Sequence, residues 1–234
     1  MSNHRVAILG NLNENYGPHC RMDSCFKEFQ TNFDFTFEWI PTETLSENPD
    51  SILSGFQGIV AGSGPYLGKE GVINGIRYAR TNNIPFLGTC SGFGYAVLEF
   101  GQSLFNLGTV HHPYEDVVLS ADETFLQQLN NCGTGMHTIS FEPVRGSLTA
   151  KVYKNSPVVQ EESHCTYGIS THMVPVFAKA GLLISGYDDE KEAKIMEYKK
   201  SDFFIITLFL PQFRSDIENP HPLLSSFFRS VMAK

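Results

Sequence analysis

The topology of this chain follows from one segment, Pro85-Phe-Leu-Gly-Thr-Cys-Ser-Gly-Phe-Gly94. Its apolar first half predicts a short buried strand, and its second half begins an amphipathic helix. Between the two, Cys90 stands in a Gly-x-Cys-x-Gly turn whose small neighbours permit a strained backbone. Such a turn is a nucleophile elbow, which holds the thiol at a helix N-terminus, where the thiolate is favoured. A buried, inert cysteine in a tight strand–helix turn would produce the same pattern.

Apolar runs of strand length alternate with helical patterns on both sides of this elbow. The sequence predicts strands at 6–10, 34–40, 58–61 and 84–88, and helices at 20–32, 69–81 and 93–100. This βαβα rhythm predicts an α/β fold with a doubly wound, mostly parallel sheet flanked by helices. Ligands of such sheets bind at the carboxyl ends of the strands, which is where Cys90 is expected.

The second half of the chain has a different pattern, with shorter strands separated by turn residues. We predict a smaller mixed or antiparallel sheet there, with strands at 117–120, 138–143 and 148–153 and a short helix at 121–131. A helix at 174–180 and strands at 182–187, 193–198 and 203–210 follow, and Pro220 is predicted to start the last helix, 223–232. Because no repeat or linker divides the chain, we expect a single domain over residues 1–234.

Composition restricts the classes of partner. A formal charge of −8 and a pI near 5.4 argue against nucleic acid and anionic membranes, so small molecules or other proteins are the expected partners. The five cysteines show no CxxC pair, which predicts a reducing, cytoplasmic compartment and no metal site. No apolar run approaches the ~20 residues that span a bilayer, and the first apolar run is too short for a signal sequence.

Four motifs in the same order resemble those of class I glutamine amidotransferases, most closely the glutaminase domain of CTP synthases. The segment 84–93 resembles the nucleophile segment, and 62–71 resembles the glycine-rich oxyanion loop. The segment 161–167 resembles the strand that borders the glutamine pocket, and 211–216 resembles a segment that reads Gln-Phe-His-Pro-Glu in the family.

The resemblance implies roles for particular residues and implies no cofactor. Cys90 would attack a side-chain amide and form a thioester, and Tyr167 would border the substrate. Backbone groups would stabilise the oxyanion at four positions in two segments: Gly62, Ser63, Gly64 and Ser91.

Several positions depart from the family pattern. Arg214 stands in place of the histidine that shuttles protons, Asp216 in place of the glutamate that orients it, and Gly94 in place of a glutamine after the elbow. Arginine has no acceptor and stays protonated, so it cannot act as a base, although it can stabilise a nearby thiolate. Hydrolysis of glutamine is therefore expected to be severely impaired. His164 is the first candidate for a replacement base, and a purely structural histidine is its alternative.

Three functions remain open at this level. The first is a free-standing cysteine hydrolase or amidotransferase that acts on a small amide-like or ester-like substrate. The second is a catalytically silent relative that binds a metabolite or a synthase partner. The third is an ammonia-supplying glutaminase subunit with a compensating base, in which a synthase or a second copy of the chain is the expected partner.

Overall fold

The computed structural model describes residues 4–105, 125–130, 133 and 135–234. Seven α-helices lie within these residues: α1 Gly17–Phe29, α2 Pro49–Leu53, α3 Lys69–Thr81, α4 Ser91–Phe105, α5 Leu148–Val152, α6 Val174–Ala180 and α7 Pro222–Met232. The strands of the same described ranges are β1 His4–Leu9, β2 Phe35–Ile40, β3 Gly58–Ala61, β4 Phe86–Thr89, β5 Leu126–Gln128, β6 His137–Pro143, β7 Val159–Ser163, β8 Tyr167–Ile169, β9 Leu182–Tyr187, β10 Ala193–Tyr198 and β11 Phe204–Thr207.

The main sheet has the strand order β2-β1-β3-β4-β11-β10-β9-β6-β7. Its first five strands are parallel, and β11 also joins them to four strands that pair antiparallel. The carboxyl ends of β1, β3, β4 and β11 therefore meet at one edge. The predicted α/β fold, with a large, mostly parallel sheet between helices, is confirmed.

Side-chain alternation along the parallel strands builds a core on each face of the sheet. In β1, Ala7 and Leu9 face one core, which also contains apolar side chains of α3, α4 and α6. Val6 and Ile8 face the other core, which contains those of α1 and α7. Both faces of a parallel sheet must be covered, because its strands are apolar throughout.

The smaller antiparallel sheet predicted for the second half consists of β5 and β8. The remaining described strands of that half extend the main sheet. The predicted strand at 117–120 and residues 121–124 of the predicted helix lie outside the described residues. The prediction of a helix at 121–131 is wrong for Leu126–Gln128, which is a strand because it pairs with Tyr167–Ile169.

Two further predictions are corrected by capping interactions. The segment predicted as a strand at 148–153 forms helix α5, because the Ser147 side chain accepts a hydrogen bond from the Ala150 N–H at 2.9 Å. Such a bond satisfies an otherwise orphan amide of the first turn. The last helix starts at Pro222 rather than at Pro220, since His221 is its N-cap and accepts from the Leu223 N–H at 3.2 Å.

Candidate active site

The elbow at Cys90 is confirmed in its backbone geometry. Cys90 has a φ of +54°, in the left-handed region, between the end of β4 and the start of α4. Its N–H donates to the Thr207 carbonyl at 2.9 Å, and its own carbonyl accepts from the Phe93 N–H at 3.0 Å. A non-glycine residue in this conformation costs roughly 1–2 kcal/mol. The neighbouring strands and the first turn of α4 therefore hold Cys90 in a strained position at the carboxyl edge.

Small residues are required around the elbow because backbones approach closely there. A Cβ atom added at Gly92 would lie 2.0 Å from the Ala61 carbonyl oxygen. The Gly92 N–H donates to the Gly62 carbonyl at 3.0 Å, which ties the elbow to the loop after β3. Gly92 therefore allows α4 to pack closely against the end of β3.

The loop of Gly62, Ser63 and Gly64 lies beside Ser91, so the structure brings together the four predicted oxyanion positions. A Cβ atom added at Gly64 would lie only 3.1 Å from the Ser91 hydroxyl. The Tyr66 hydroxyl donates to the Gly62 carbonyl at 2.5 Å. A hydrogen bond to one of its carbonyl groups therefore helps to fix the position of this loop.

A buried histidine, which the sequence did not single out, also fixes this loop. His19 accepts from the Asn13 N–H at Nδ1 over 3.2 Å, so its Nε2 carries the proton and donates to the Ser63 carbonyl at 2.8 Å. Because the C=O and N–H of one peptide point in opposite directions, this bond aims the Gly64 N–H away from His19. His19 is thus a positioning residue for the loop.

The thiol of Cys90 has an altered acidity. A hydrogen bond from Cys165 is the largest cause that lowers the pKa of Cys90 to about 7, against the opposing effect of burial. The hydroxyls of Ser63 and Ser91 and the Ser91 backbone lower this pKa further. The same contact with Cys90 raises the pKa of Cys165 well above its usual range, so Cys165 keeps its proton while Cys90 becomes the thiolate.

No motif in the sequence marks Cys165 as a site residue. Cys165 is buried in the turn between β7 and β8, whereas the adjacent His164 is exposed. The only available signal was the two-residue alternation continuing from β7, which places Ser163 and Cys165 on the inner side. His164, proposed as the replacement base, therefore lies in solvent.

Arg214 forms an ion pair with Glu162. Its Nη2 lies 2.8 Å and its Nε 3.2 Å from Glu162 Oε1, and the arginine side chain is 38% exposed. Arg214 is the main cause that lowers the pKa of Glu162.

The remaining predicted site residues are Asp216, Tyr167 and Gly94. Asp216 is exposed and accepts from the Asn219 N–H at 2.6 Å, as in a local turn. Tyr167 is partly buried at the start of β8, and Gly94 is buried in the first turn of α4.

Neither a metal-ligand cluster nor a long apolar helix is present in the described ranges. In those ranges, no group of three or more His, Cys, Asp or Glu side chains could hold a metal ion. Over the same part of the chain, no helix is both long and apolar enough to cross a membrane.

Comparison with known proteins agrees with this geometry. The model of the family "Glutamine amidotransferase class-I" matches residues 25–204. The chain belongs to the class I glutamine amidotransferase family.

Within this family, the chain is similar to CTP synthases. It is 33% identical over 206 residues to the CTP synthase of Pyrococcus horikoshii, covering 82% of this chain and 37% of that enzyme. It is 30% identical over 212 residues to the CTP synthase of Staphylococcus aureus, covering 85% of this chain and 39% of that enzyme. The chain therefore spans less than two thirds of the length of these relatives.

Solved structures support the fold. The glutaminase domain of Trypanosoma brucei CTPS with bound acivicin superposes with a TM-score of 0.85 at 22% identity, covering 99% of this chain and 94% of that one. A glutamine amidotransferase from Thermotoga maritima gives a TM-score of 0.58 at 14% identity, with coverages of 98% and 96%.

Proposed function

We propose that this chain is a Cys90-dependent acyl-transfer enzyme, a hydrolase or amidotransferase that acts on a small ester-like or amide-like substrate. The observation that carries the proposal is the Cys90 thiol, which has its pKa lowered to about 7 at a strained elbow beside Gly64 and Ser91. Perturbed thiols of this kind cluster at functional sites.

The proposed reaction begins when the Cys90 thiolate attacks the substrate carbonyl carbon. Negative charge develops on the carbonyl oxygen, where the N–H groups of Gly64 and Ser91 would stabilise it by roughly 3 kcal/mol per donor. The carbon–oxygen or carbon–nitrogen bond then breaks, the leaving group departs, and a thioester remains on Cys90. Water hydrolyses the thioester and regenerates the thiolate.

The surroundings of Cys90 favour substrates with good leaving groups over glutamine. An amide needs a proton on its departing nitrogen, and general acid–base help is worth roughly 10²–10⁴-fold in rate. Both ring nitrogens of His19 and of His221 already have hydrogen-bond partners, and His164 and His172 are exposed. An activated ester needs no such proton.

The experiment compares p-nitrophenyl acetate with glutamine as substrates. We expect p-nitrophenol release and an acetyl group on Cys90 by peptide mass spectrometry, with much slower ammonia release from glutamine. The Cys90→Ser variant should lose ester turnover, whereas Cys25→Ser, which changes a buried cysteine of the opposite core, should retain it. Equal turnover by the parent chain and Cys90→Ser would contradict the proposal.

A catalytically silent, partner-binding relative is the second candidate, and the Arg214–Glu162 ion pair favours it. The sequence motif predicts Arg214 in place of the family's histidine, and Glu162 engages its guanidinium, so a proton relay of the family's kind would be lost. This candidate predicts no acylation of Cys90, together with a shift in melting temperature on binding a metabolite that persists in Cys90→Ala.

A conventional glutaminase with a compensating base is the third candidate. It predicts ammonia release from glutamine at a rate comparable with ester turnover. Acivicin, which is bound in the T. brucei glutaminase structure, should then label Cys90, and glutamine should protect against the labelling.

A further inference from the structure

The site contains two neighbouring thiols, Cys90 and Cys165, where the proposed chemistry uses only one. Cys90 and Cys165 are 8% and 7% exposed, and both are free cysteines in the same core. The Cys165 thiol is the largest cause that lowers the pKa of Cys90, and Cys90 is the largest cause that raises the pKa of Cys165, as expected for neighbouring side chains. Cys165 lies 75 residues further along the chain, which means that tertiary structure alone brings the sulfurs together.

Hydrogen bonds tie both cysteines to the end of β11. The Cys90 N–H donates to the Thr207 carbonyl at 2.9 Å. The Ser163 hydroxyl donates to the next carbonyl, that of Leu208, at 2.7 Å, and accepts from the Cys165 N–H at 3.2 Å. Cys90 is thus bonded to the last residue of β11, and Cys165 is linked through the Ser163 hydroxyl to the residue that follows it.

We propose that Cys90 and Cys165 form a reversible disulfide when a hydroperoxide oxidises the site, and that Cys165 is the resolving cysteine. The disulfide would block the nucleophile and protect it from irreversible oxidation. This redox pair does not require the proposed acyl-transfer function, because it depends only on the two thiols.

The reaction balances with a hydroperoxide as the oxidant. The Cys90 thiolate attacks a peroxide oxygen, the O–O bond breaks, and hydroxide leaves and takes up a proton, which gives a sulfenic acid on Cys90. The Cys165 sulfur then attacks the sulfenic sulfur, its proton leaves with the departing hydroxide as water, and the S–S bond forms. Two thiols give up two electrons, and hydrogen peroxide becomes two waters. A dithiol reductant reverses the change by two exchange steps.

The chemistry of the pair suits these roles. A thiolate is the form that a peroxide oxidises, and Cys90 is partly in that form at neutral pH. Cys25 provides a contrast within the same chain, because burial raises its pKa to about 11 and it lies in the opposite core. Cys25 is therefore the matched control.

The test treats the fully reduced chain with hydrogen peroxide, blocks the remaining thiols with N-ethylmaleimide and maps peptides by mass spectrometry. Trypsin alone leaves Cys90 and Cys132 together in one peptide, 81–145, since no Lys or Arg lies between them. A second cleavage with chymotrypsin separates the two. We expect a Cys90–Cys165 linked peptide that disappears after dithiothreitol, and the loss of two of the five thiols.

The variants assign the roles of the two cysteines. Cys165→Ser should leave a Cys90 sulfenic acid that dimedone captures and that proceeds to sulfinic acid with excess peroxide. Cys25→Ser should form the same disulfide as the parent chain. Sulfinic acid on parental Cys90 without the linked peptide, or a disulfide with another cysteine, would overturn the proposal. The parent chain alone decides this outcome, even if a variant fails to fold. The readout is the S–S bond, so absence of esterase activity would count against the proposed function and leave this result intact.

Discussion

Cys165 donates the hydrogen bond that contributes most to lowering the pKa of Cys90. Cys165→Ala removes this donor and leaves the thiolate less stabilised, so the pKa of Cys90 should rise from about 7 towards the ordinary thiol value. At pH 7 the alkylation rate should fall several-fold, as measured by the pH dependence of iodoacetamide labelling. Cys25→Ala should leave the profile of Cys90 unchanged, and an unchanged profile in Cys165→Ala would show that the thiol contact is unimportant.

Gly92 is a residue whose lack of a side chain matters for stability. Because a Cβ atom there would meet the Ala61 carbonyl oxygen at 2.0 Å, Gly92→Ala should destabilise the fold by roughly 1–3 kcal/mol or more. Thermal unfolding measures the effect. Gly17→Ala is the matched control. Open space surrounds that position, so this variant should be about as stable as the parent chain. Equal melting temperatures for the two variants would refute the steric account.

Arg214 is expected to be uncoupled from the thiol because it pairs with Glu162. In Arg214→Ala the pKa of Glu162 should return upward, as NMR titration of the carboxyl carbon can show. The midpoint of Cys90 alkylation should stay where it is in the parent chain. A rise of that midpoint would instead mean that Arg214 stabilises the thiolate.

Among single residues, the sequence predicted the elbow backbone at Cys90 and the segment beside it, because local glycine spacing dictates an elbow. It missed Cys165 and His19 as site residues. Their roles depend on contacts with Cys90 and with Ser63, which lie 75 and 44 residues away in the chain. No local pattern encodes such contacts.

Among the elements, α5 shows how a long-range contact overrides local preference. Its Thr and Val residues favour a strand, yet Glu197 accepts from the Leu148 N–H at 2.9 Å and from the Thr149 N–H at 3.2 Å. These bonds satisfy the amides of a helix start. The long parallel-sheet elements were predicted correctly, because their buried strands and amphipathic helices carry the strongest periodic signals.

The N-cap of α5 provides the test for this element. Ser147→Ala removes the acceptor of the Ala150 N–H and should lower the free energy of unfolding by about 1 kcal/mol. Chemical denaturation measures the difference. Ser156→Ala, in the exposed loop after the same helix, should stay within about 0.5 kcal/mol of the parent chain. A Ser147→Ala variant as stable as this control would argue against the cap.

For the whole molecule, the fold places Cys90 and the loop of Gly62, Ser63 and Gly64 at one carboxyl edge. The antiparallel strands bring a second thiol to the same point. Membership of the class I glutamine amidotransferase family accounts for the elbow at Cys90 and for its position at the carboxyl edge of the main sheet. The chemistry that we propose for Cys90 differs from plain glutamine hydrolysis in its need for a good leaving group.

The rate of iodoacetamide alkylation at Cys90 as a function of pH tests this account most directly. Peptide mass spectrometry of the parent chain should show Cys90 labelled ahead of buried Cys25, with a half-maximal rate near pH 7, because the thiolate fraction rises through the pKa of about 7. A half-maximal rate near the ordinary thiol value of 9.0, or no preference for Cys90 over Cys25, would contradict an activated nucleophile.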